Sequence, residues 1–203
     1  MRKTLLLIGG TGFFGKSILN YLSFYKNSLK KKFNKIIILS RGRLELKFNK
    51  ELGKEFKIVK ITSNILKIKK LPKADFVIYG AILKNFNEDN IAVKNYLKLA
   101  RIYHFKSKIL YVSSGAIYGE QPKSIKKFKE NYLKSHKKID FKIGYKKKYS
   151  KIKLENEKLF EKFGKTGANV SIARCFSFVG QYLPTNSYYV VGNLIKNILI
   201  MRV

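Results

Sequence analysis

The chain has 203 residues, 45% of them apolar and 14% aromatic, with 44 Lys plus Arg against 12 Asp plus Glu and a formal charge of +32. That composition excludes intrinsic disorder and suits one α/β domain with a real core. A single cysteine, Cys175, excludes an internal disulfide and a multi-cysteine zinc site, and no apolar run reaches the roughly 18 residues that span a bilayer.

Met1-Arg2-Lys3 ahead of Thr4 to Ile8 mimics the start of a secretory signal. The apolar run stops at Ile8 and enters Gly9-Gly10-Thr11-Gly12, too soon for a signal core, so a cytoplasmic protein is expected. Leu5 to Ile8 reads instead as a buried parallel strand ending at glycine. Helical spacing of Ile18, Leu19, Leu22 and Tyr25 predicts a helix over 16–25. Past a lysine-rich connection, Ile36 to Leu39 is a second strand, Phe56 to Ile61 a third and Phe76 to Tyr79 a fourth. A helix follows over Asn90 to Ile102, with Ile91, Tyr96, Leu97 and Leu99 toward the core. Ile109 to Val112 makes a fifth strand running into Ser113-Ser114. Residues 121–153 hold thirteen Lys against Glu130 and Asp140, which predicts a surface excursion. Helical periodicity resumes through Ile152, Leu154, Leu159 and Phe160, then Val170 to Ala173 is a sixth strand and Val191 to Met201 a last helix. Strands alternating with helices behind a glycine turn predict an α/β, doubly wound parallel sheet, the Rossmann fold.

Gly9-Gly10-Thr11-Gly12-Phe13-Phe14-Gly15 sits between strand and helix, where a dinucleotide fingerprint must sit. Gly9 allows the tight turn, Gly12 lets backbone approach a pyrophosphate, and Gly15 lets helix and strand close together. The helix N-terminus turns free N–H groups toward the phosphates. At the end of the second strand an acid would bond the ribose 2′-hydroxyl of NAD. This chain has Ser40-Arg41-Gly42-Arg43 there, and Arg41 favours the 2′-phosphate of NADP. Further on, Tyr149-Ser150-Lys151-Ile152-Lys153 places Tyr149 and Lys153 on one helix face. An ammonium and an oxidised nicotinamide beside a tyrosine favour its phenolate, the form able to act as a base.

These residues resemble the extended short-chain dehydrogenase/reductase family, in its NAD-dependent epimerase/dehydratase (nucleotide-sugar) branch. Ile8 to Gly15 is similar to the family's TGxxGxxG fingerprint, with Ile8 in place of the leading threonine. Val112-Ser113-Ser114-Gly115-Ala116-Ile117-Tyr118-Gly119 resembles its catalytic strand end, which puts Ser114, four before Tyr118, in the place of the catalytic hydroxyl. Tyr149 to Glu157 resembles the YxxxK helix, and Ile172 to Gly180, with Phe176 and Ser177, the segment bordering nicotinamide and substrate. Asn64-Ile65 stands where the family has an acid and an apolar residue around the adenine, Ala81 and Lys84 beside the cofactor ribose, and Asn193 where such enzymes meet the sugar-nucleotide phosphates.

The resemblance implies NAD or NADP as cofactor, a nucleotide-diphosphate sugar as substrate, and no metal. Tyr149 is then the base at a sugar hydroxyl, Ser114 holds that hydroxyl and Lys153 binds the nicotinamide ribose. The family's 4,6-dehydratases carry an Asp-Glu pair directly after the hydroxyl residue, and the branch that epimerises two carbons carries a cysteine two places past it. Gly115 and Ala116 stand there instead, leaving a 4-epimerase or a 4-ketoreductase. Family members are longer, so residues 1–180 are expected to form the NAD(P)-binding domain and 181–203 the start of a substrate region whose lobe is largely missing. The chain alone is expected to bind dinucleotide and turn over poorly. A homodimer through the Tyr149 helix and the Asn90 helix is also implied.

Two other classes compete. One is a truncated, non-catalytic dinucleotide-binding protein, against which the intact Ser114, Tyr149 and Lys153 argue. The other is a nucleic-acid binder, suggested by a pI near 10. Arg supplies only six of the 44 cations, and the lysines come with Ile, Asn, Phe and Tyr, which share A/T-rich codons. The 121–153 segment has Phe128, Tyr132 and Phe141 but no interleaved stacking pattern, so composition is the favoured account of the charge.

Overall fold

The computed structural model describes residues 2–42, 44–83, 85–132, 144–176, 178–184 and 190–200. The elements run β1 (Lys3–Ile8), α1 (Phe13–Phe24), α2 (Lys26–Leu29), β2 (Phe33–Ser40), α3 (Leu46–Leu52), β3 (Lys57–Thr62), β4 (Phe76–Tyr79), α4 (Phe86–Tyr103), β5 (Lys108–Ser114), a 3-10 turn (Gly115–Tyr118), α5 (Gly144–Gly164), β6 (Asn169–Cys175) and α6 (Val190–Ile200). The strands form one parallel sheet in the order β3-β2-β1-β4-β5-β6, the expected doubly wound arrangement.

Alternation along β1 and β2 decides which helix covers which face. Leu5, Leu7, Ile36 and Ile38 pack against Leu19 and Leu22 of α1 and Phe48 and Leu52 of α3. Leu6, Ile8, Ile37 and Leu39 pack on the other side with Val93 and Tyr96 of α4 and Phe160 of α5. Helices on both faces explain why these strands read as unbroken apolar runs. No described helix is long and apolar enough to cross a membrane.

Three expectations need correction. The fourth helix starts at Phe86, four residues early, because Asn85 caps it: Asn85 Oδ1 accepts from the amides of Asn87 (3.0 Å) and Glu88 (3.5 Å). Its buried face runs through Asp89, Ala92, Val93, Tyr96, Leu97 and Ala100, which turns Ile91 outward, 55% exposed. Helix α3 did not emerge from the sequence, although Phe48 and Leu52 share a face at i, i+4 spacing and both are buried. The surface excursion over 121–153 ends sooner than expected, because α5 begins at Gly144 and carries Lys153 into the interior, 4% exposed. Phe128 and Tyr132 in its first part are engaged internally, Phe128 stacked on Tyr118 at 4.9 Å and Tyr132 edge-on to Phe128 at 4.8 Å. Residues 133–143, Phe141 among them, lie outside the described residues.

At the end of α4, His104 is fully buried. Its Nε2 lies 2.8 Å from the Pro72 carbonyl oxygen and its Nδ1 3.5 Å from Tyr96 Oη. Burial lowers its pKa, and the bond to Pro72 opposes that shift only in part. The unfolded chain therefore takes up this proton first as pH falls below about 6.5, so His104 costs stability from there down to its folded-state pKa. In urea unfolding at pH 7 and pH 5, His104→Gln is expected to lose less stability between the two pH values than the wild type. Equal losses would show that His104 keeps its titration in the fold.

Candidate active site

The site starts where β1 ends. Gly9 has φ +87°, a left-handed conformation, and a Cβ on it would come within 2.7 Å of the Ala81 backbone. Gly15 lies against the Gly10 backbone with no room for a side chain, so α1 starts directly on the sheet. At Gly12 the situation differs: a Cβ would meet only the Gly9 carbonyl oxygen, at 3.4 Å. Packing within the chain does not demand a glycine there, whereas a ligand approaching the backbone does. Gly12 is also the N-cap of α1 and makes no side-chain cap to its first turn. Phe13 and Phe14 at the helix start are braced edge-on by Phe178, at 6.3 and 4.5 Å.

A groove of about 560 Å³ opens from this loop across the carboxyl ends of β2, β3 and β4. Thr11, Gly12, Phe13 and Phe14 form one wall; Ser40, Arg41, Gly42, Ser63, Asn64 and Ile65, from the ends of β2 and β3, form a second; Gly80, Ala81, Ile82 and Leu83 form the floor beyond β4. It is the crevice at the topological switch point, where a dinucleotide lies in this class of sheet, and its lining fits one. Arg41 stands exposed at the rim, and among the described residues no lining residue is acidic. Asn64 is a turn-former as well as a wall: its Oδ1 accepts from the Leu66 amide at 3.1 Å. Ile65 is buried in the core. Lys84 and Arg43 lie outside the described residues.

Ser114, Tyr149 and Lys153 are absent from the groove lining: Ser114 lies at the end of β5, and Tyr149 and Lys153 lie on α5. Ser114 closes β5, its Oγ accepting from the Ala116 amide at 3.2 Å. Lys153 Nζ lies beneath the same strand, donating to the Val112 carbonyl at 3.3 Å and to Tyr111 Oη at 3.4 Å. Tyr149 is half-buried one turn earlier on α5, its ring 6.0 Å from that of Phe86. Phe176, 64% exposed, lies parallel to Tyr118 at 6.2 Å and covers Gly115. Ser177 lies outside the described residues, and Asn193 is exposed on α6, apart from the groove lining. Among the described residues no cluster of His, Cys, Asp and Glu could hold a metal ion.

The structure adds a polar network that the sequence analysis did not single out. Asp89, 1% exposed, accepts from the Leu83 amide at 2.9 Å and from Asn156 Nδ2 at 3.1 Å, and Asn156 Oδ1 accepts from Asn90 at 2.9 Å. This joins the groove floor to α4 and α5. Burial raises the Asp89 pKa, against the opposing pull of Lys153. Burial lowers that of Lys153, against the opposing pull of Asp89, Cys175 and Glu157. Glu157 in turn receives Arg174 through Nε (3.1 Å) and Nη2 (2.9 Å), while Arg174 Nη1 donates to Tyr118 Oη (2.8 Å) and the Glu130 carbonyl (2.6 Å). The available signal was polar residues at helix positions where the periodicity wants apolar ones: Asp89 on α4, and Asn156 and Glu157 at i+3 and i+4 from Lys153.

The sequence matches the NAD dependent epimerase/dehydratase family over residues 5–201. The chain belongs to this family. Its fold is similar to DesIV, a dTDP-glucose 4,6-dehydratase from Streptomyces venezuelae with NAD and TYD bound (TM-score 0.75, 16% identity, 97% of this chain and 62% of that one). It is also similar to the UDP-glucuronic acid 4-epimerase of Bacillus cereus in complex with NAD (TM-score 0.68, 19% identity, 97% and 63%). A third similar fold is RMD from Pseudomonas aeruginosa complexed with NADPH (TM-score 0.64, 22% identity, 99% and 61%). The chain spans about three fifths of the length of these structures. No curated protein matches it by sequence.

In this family member the Arg174–Glu157 pair ties β6 to α5 around a carboxylate that is only 1% exposed. Removing the cation takes away the hydrogen-bonded partner of that buried charge and leaves only the electrostatic pull of Lys153, so Arg174→Ala is expected to cost about 2–4 kcal/mol, the upper end reduced because Arg174 is partly solvated. Urea unfolding measures this. A loss below about 1 kcal/mol would mean that water reaches Glu157 readily.

Proposed function

We propose that the protein is an NAD(P)-dependent oxidoreductase of nucleotide-diphosphate sugars, acting at C4 as a 4-epimerase or a 4-ketoreductase. The observation that carries this reading is Lys153 buried beneath β5, two residues before the Ser114 end of that strand is reached, with Tyr149 one turn away on the same helix.

The groove from Gly9 to Leu83 would hold the dinucleotide, with the first turn of α1 at its phosphates and Arg41 at its adenosine end. Absence of an acid among the described lining residues and an arginine at the rim support NADP over NAD. The bound nicotinamide supplies the hydride acceptor and donor. Tyr149 takes a proton from the sugar hydroxyl and returns it. Ser114 Oγ holds that hydroxyl in line. Lys153 places a cation one turn along the helix as counter-charge to a tyrosinate. Gly115 supports the choice of reaction: any side chain there would run into the Phe176 ring, so a carboxylate following Ser114, as a 4,6-dehydratase carries, has no room without moving that ring.

The test is turnover of UDP-, GDP-, CDP- and dTDP-sugars with NAD or NADPH, using this chain and any longer chain that contains it. Tyr149→Phe is expected to lower turnover at least about a hundredfold while leaving dinucleotide affinity within about twofold. Undiminished turnover would remove Tyr149 from the chemistry.

Pairing into a homodimer through α4 and α5 belongs to the same proposal. It is supported by Ile91 and Ile102 on the outer face of α4, 55% and 74% exposed. Two chains of +32 repel, so the expected result is a dimer in sizing at moderate salt and a monomer for Ile102→Lys. A wild-type monomer at every salt concentration would remove the pairing.

A further inference from the structure

Arg41 reaches the adenosine end of the groove only from the rim, but a second cation stands inside the same wall. Lys60 of β3 is half-buried beside the end of β2. Its Nζ donates to Ser40 Oγ at 2.6 Å, to the Ser40 carbonyl at 2.8 Å and to the Ile61 carbonyl at 3.4 Å. Ser40 Oγ also accepts from Thr11 Oγ1 at 3.0 Å and donates to the Gly42 carbonyl at 3.4 Å. The cluster therefore links the glycine loop to the β2 end, and Thr11, Ser40 and Gly42 all line the groove.

All three bonds of the ammonium go to neutral oxygens, and among the described residues no carboxylate pairs with it. Burial pushes its pKa down, the mark of a cation partly stripped of water without a counter-charge. If the wall needed only a strut between Ser40 and the glycine loop, a neutral donor would serve at lower desolvation cost. A fixed positive charge one hydrogen bond behind the groove lining suits an anion in the groove.

We propose that Lys60 and Arg41 together form the subsite for the 2′-phosphate of the dinucleotide, Lys60 acting from within the wall through Ser40 and Arg41 from the rim. Lys60 is thus a specificity-determining residue. The inference rests on the reading of the groove as an NADP site. It adds that the preference is built into the sheet as well as the surface.

Adenosine 2′,5′-bisphosphate and 5′-AMP differ only in the 2′-phosphate, so calorimetric binding of both to the full chain isolates the subsite. The wild type is expected to bind the bisphosphate more tightly. Lys60→Gln keeps a donor near Ser40 and removes the charge. It should lose on the order of tenfold in affinity for the bisphosphate and less than about twofold for AMP. Lys60→Arg should retain the discrimination. Lys60→Met provides the same comparison if Lys60→Gln does not fold. Equal losses for both ligands, or no loss for either, would overturn the role of Lys60 while a wild-type preference for the bisphosphate left the NADP reading standing. A wild type binding both ligands equally would overturn both.

Discussion

Double burial of β1 is the constraint on which the other features rest. Leu5 and Leu7 are covered by α1 and α3, Leu6 and Ile8 by α4 and α5, so the strand has no polar side and can lie only in the middle of a two-faced sheet. From that position β2 pairs on one edge and β4 on the other. The loops leaving their carboxyl ends diverge, and the groove is the gap between them. Gly15 packed on Gly10 brings the start of α1 down to this gap, so the helix end and the crevice arise from one local arrangement.

The second half of the molecule is organised by polar contacts in a place built for apolar ones. Asp89, Asn156, Lys153 and Glu157 occupy the interface between α4, α5 and the sheet, where each would be costly alone. Asp89 and Asn156 bond each other, Lys153 bonds the Val112 carbonyl and Tyr111, and Glu157 bonds Arg174; these directional bonds fix the rotation of α5 more closely than apolar packing would. Tyr149 shares that helix, so its orientation follows from the same bonds. Since Asp89 also holds the Leu83 amide, the floor of the groove and the Tyr149 helix are positioned by one carboxylate. The charged side chains thus have different duties: Arg41 stands at the groove lining with Lys60 behind it against Ser40, whereas Arg174 and Glu157 pair with each other within the fold.

Elements whose burial is two-sided were legible because their residues obey a single period. The strand at Phe76–Tyr79 has the bounds that the sequence suggests, and β1, β2, β5 and β6 extend theirs by a few residues. Errors fell where one residue served two masters. Ile91 is apolar yet faces out, because Asp89 takes the inward place on that turn of α4. Lys153 sits in a segment dominated by solvated lysines, and nothing in its local composition separates it from Lys151, which is exposed. Helix α3 is short and mostly polar, so its two core residues are too few to raise a periodic signal.

By itself the sequence determined the strand order along the chain, the glycine loop between β1 and α1, and the one-turn spacing of Tyr149 and Lys153. These depend on neighbours a few residues apart, where sterics and helical period act directly. Only the tertiary structure decided that Lys60 lies behind Ser40, that Asp89 ties Leu83 to Asn156, and that Phe176 closes the space over Gly115. Apart from the six-residue span between Leu83 and Asp89, those contacts join residues 20 to 67 positions apart. Their partners are chosen by register and packing across the parallel sheet, which no local pattern encodes.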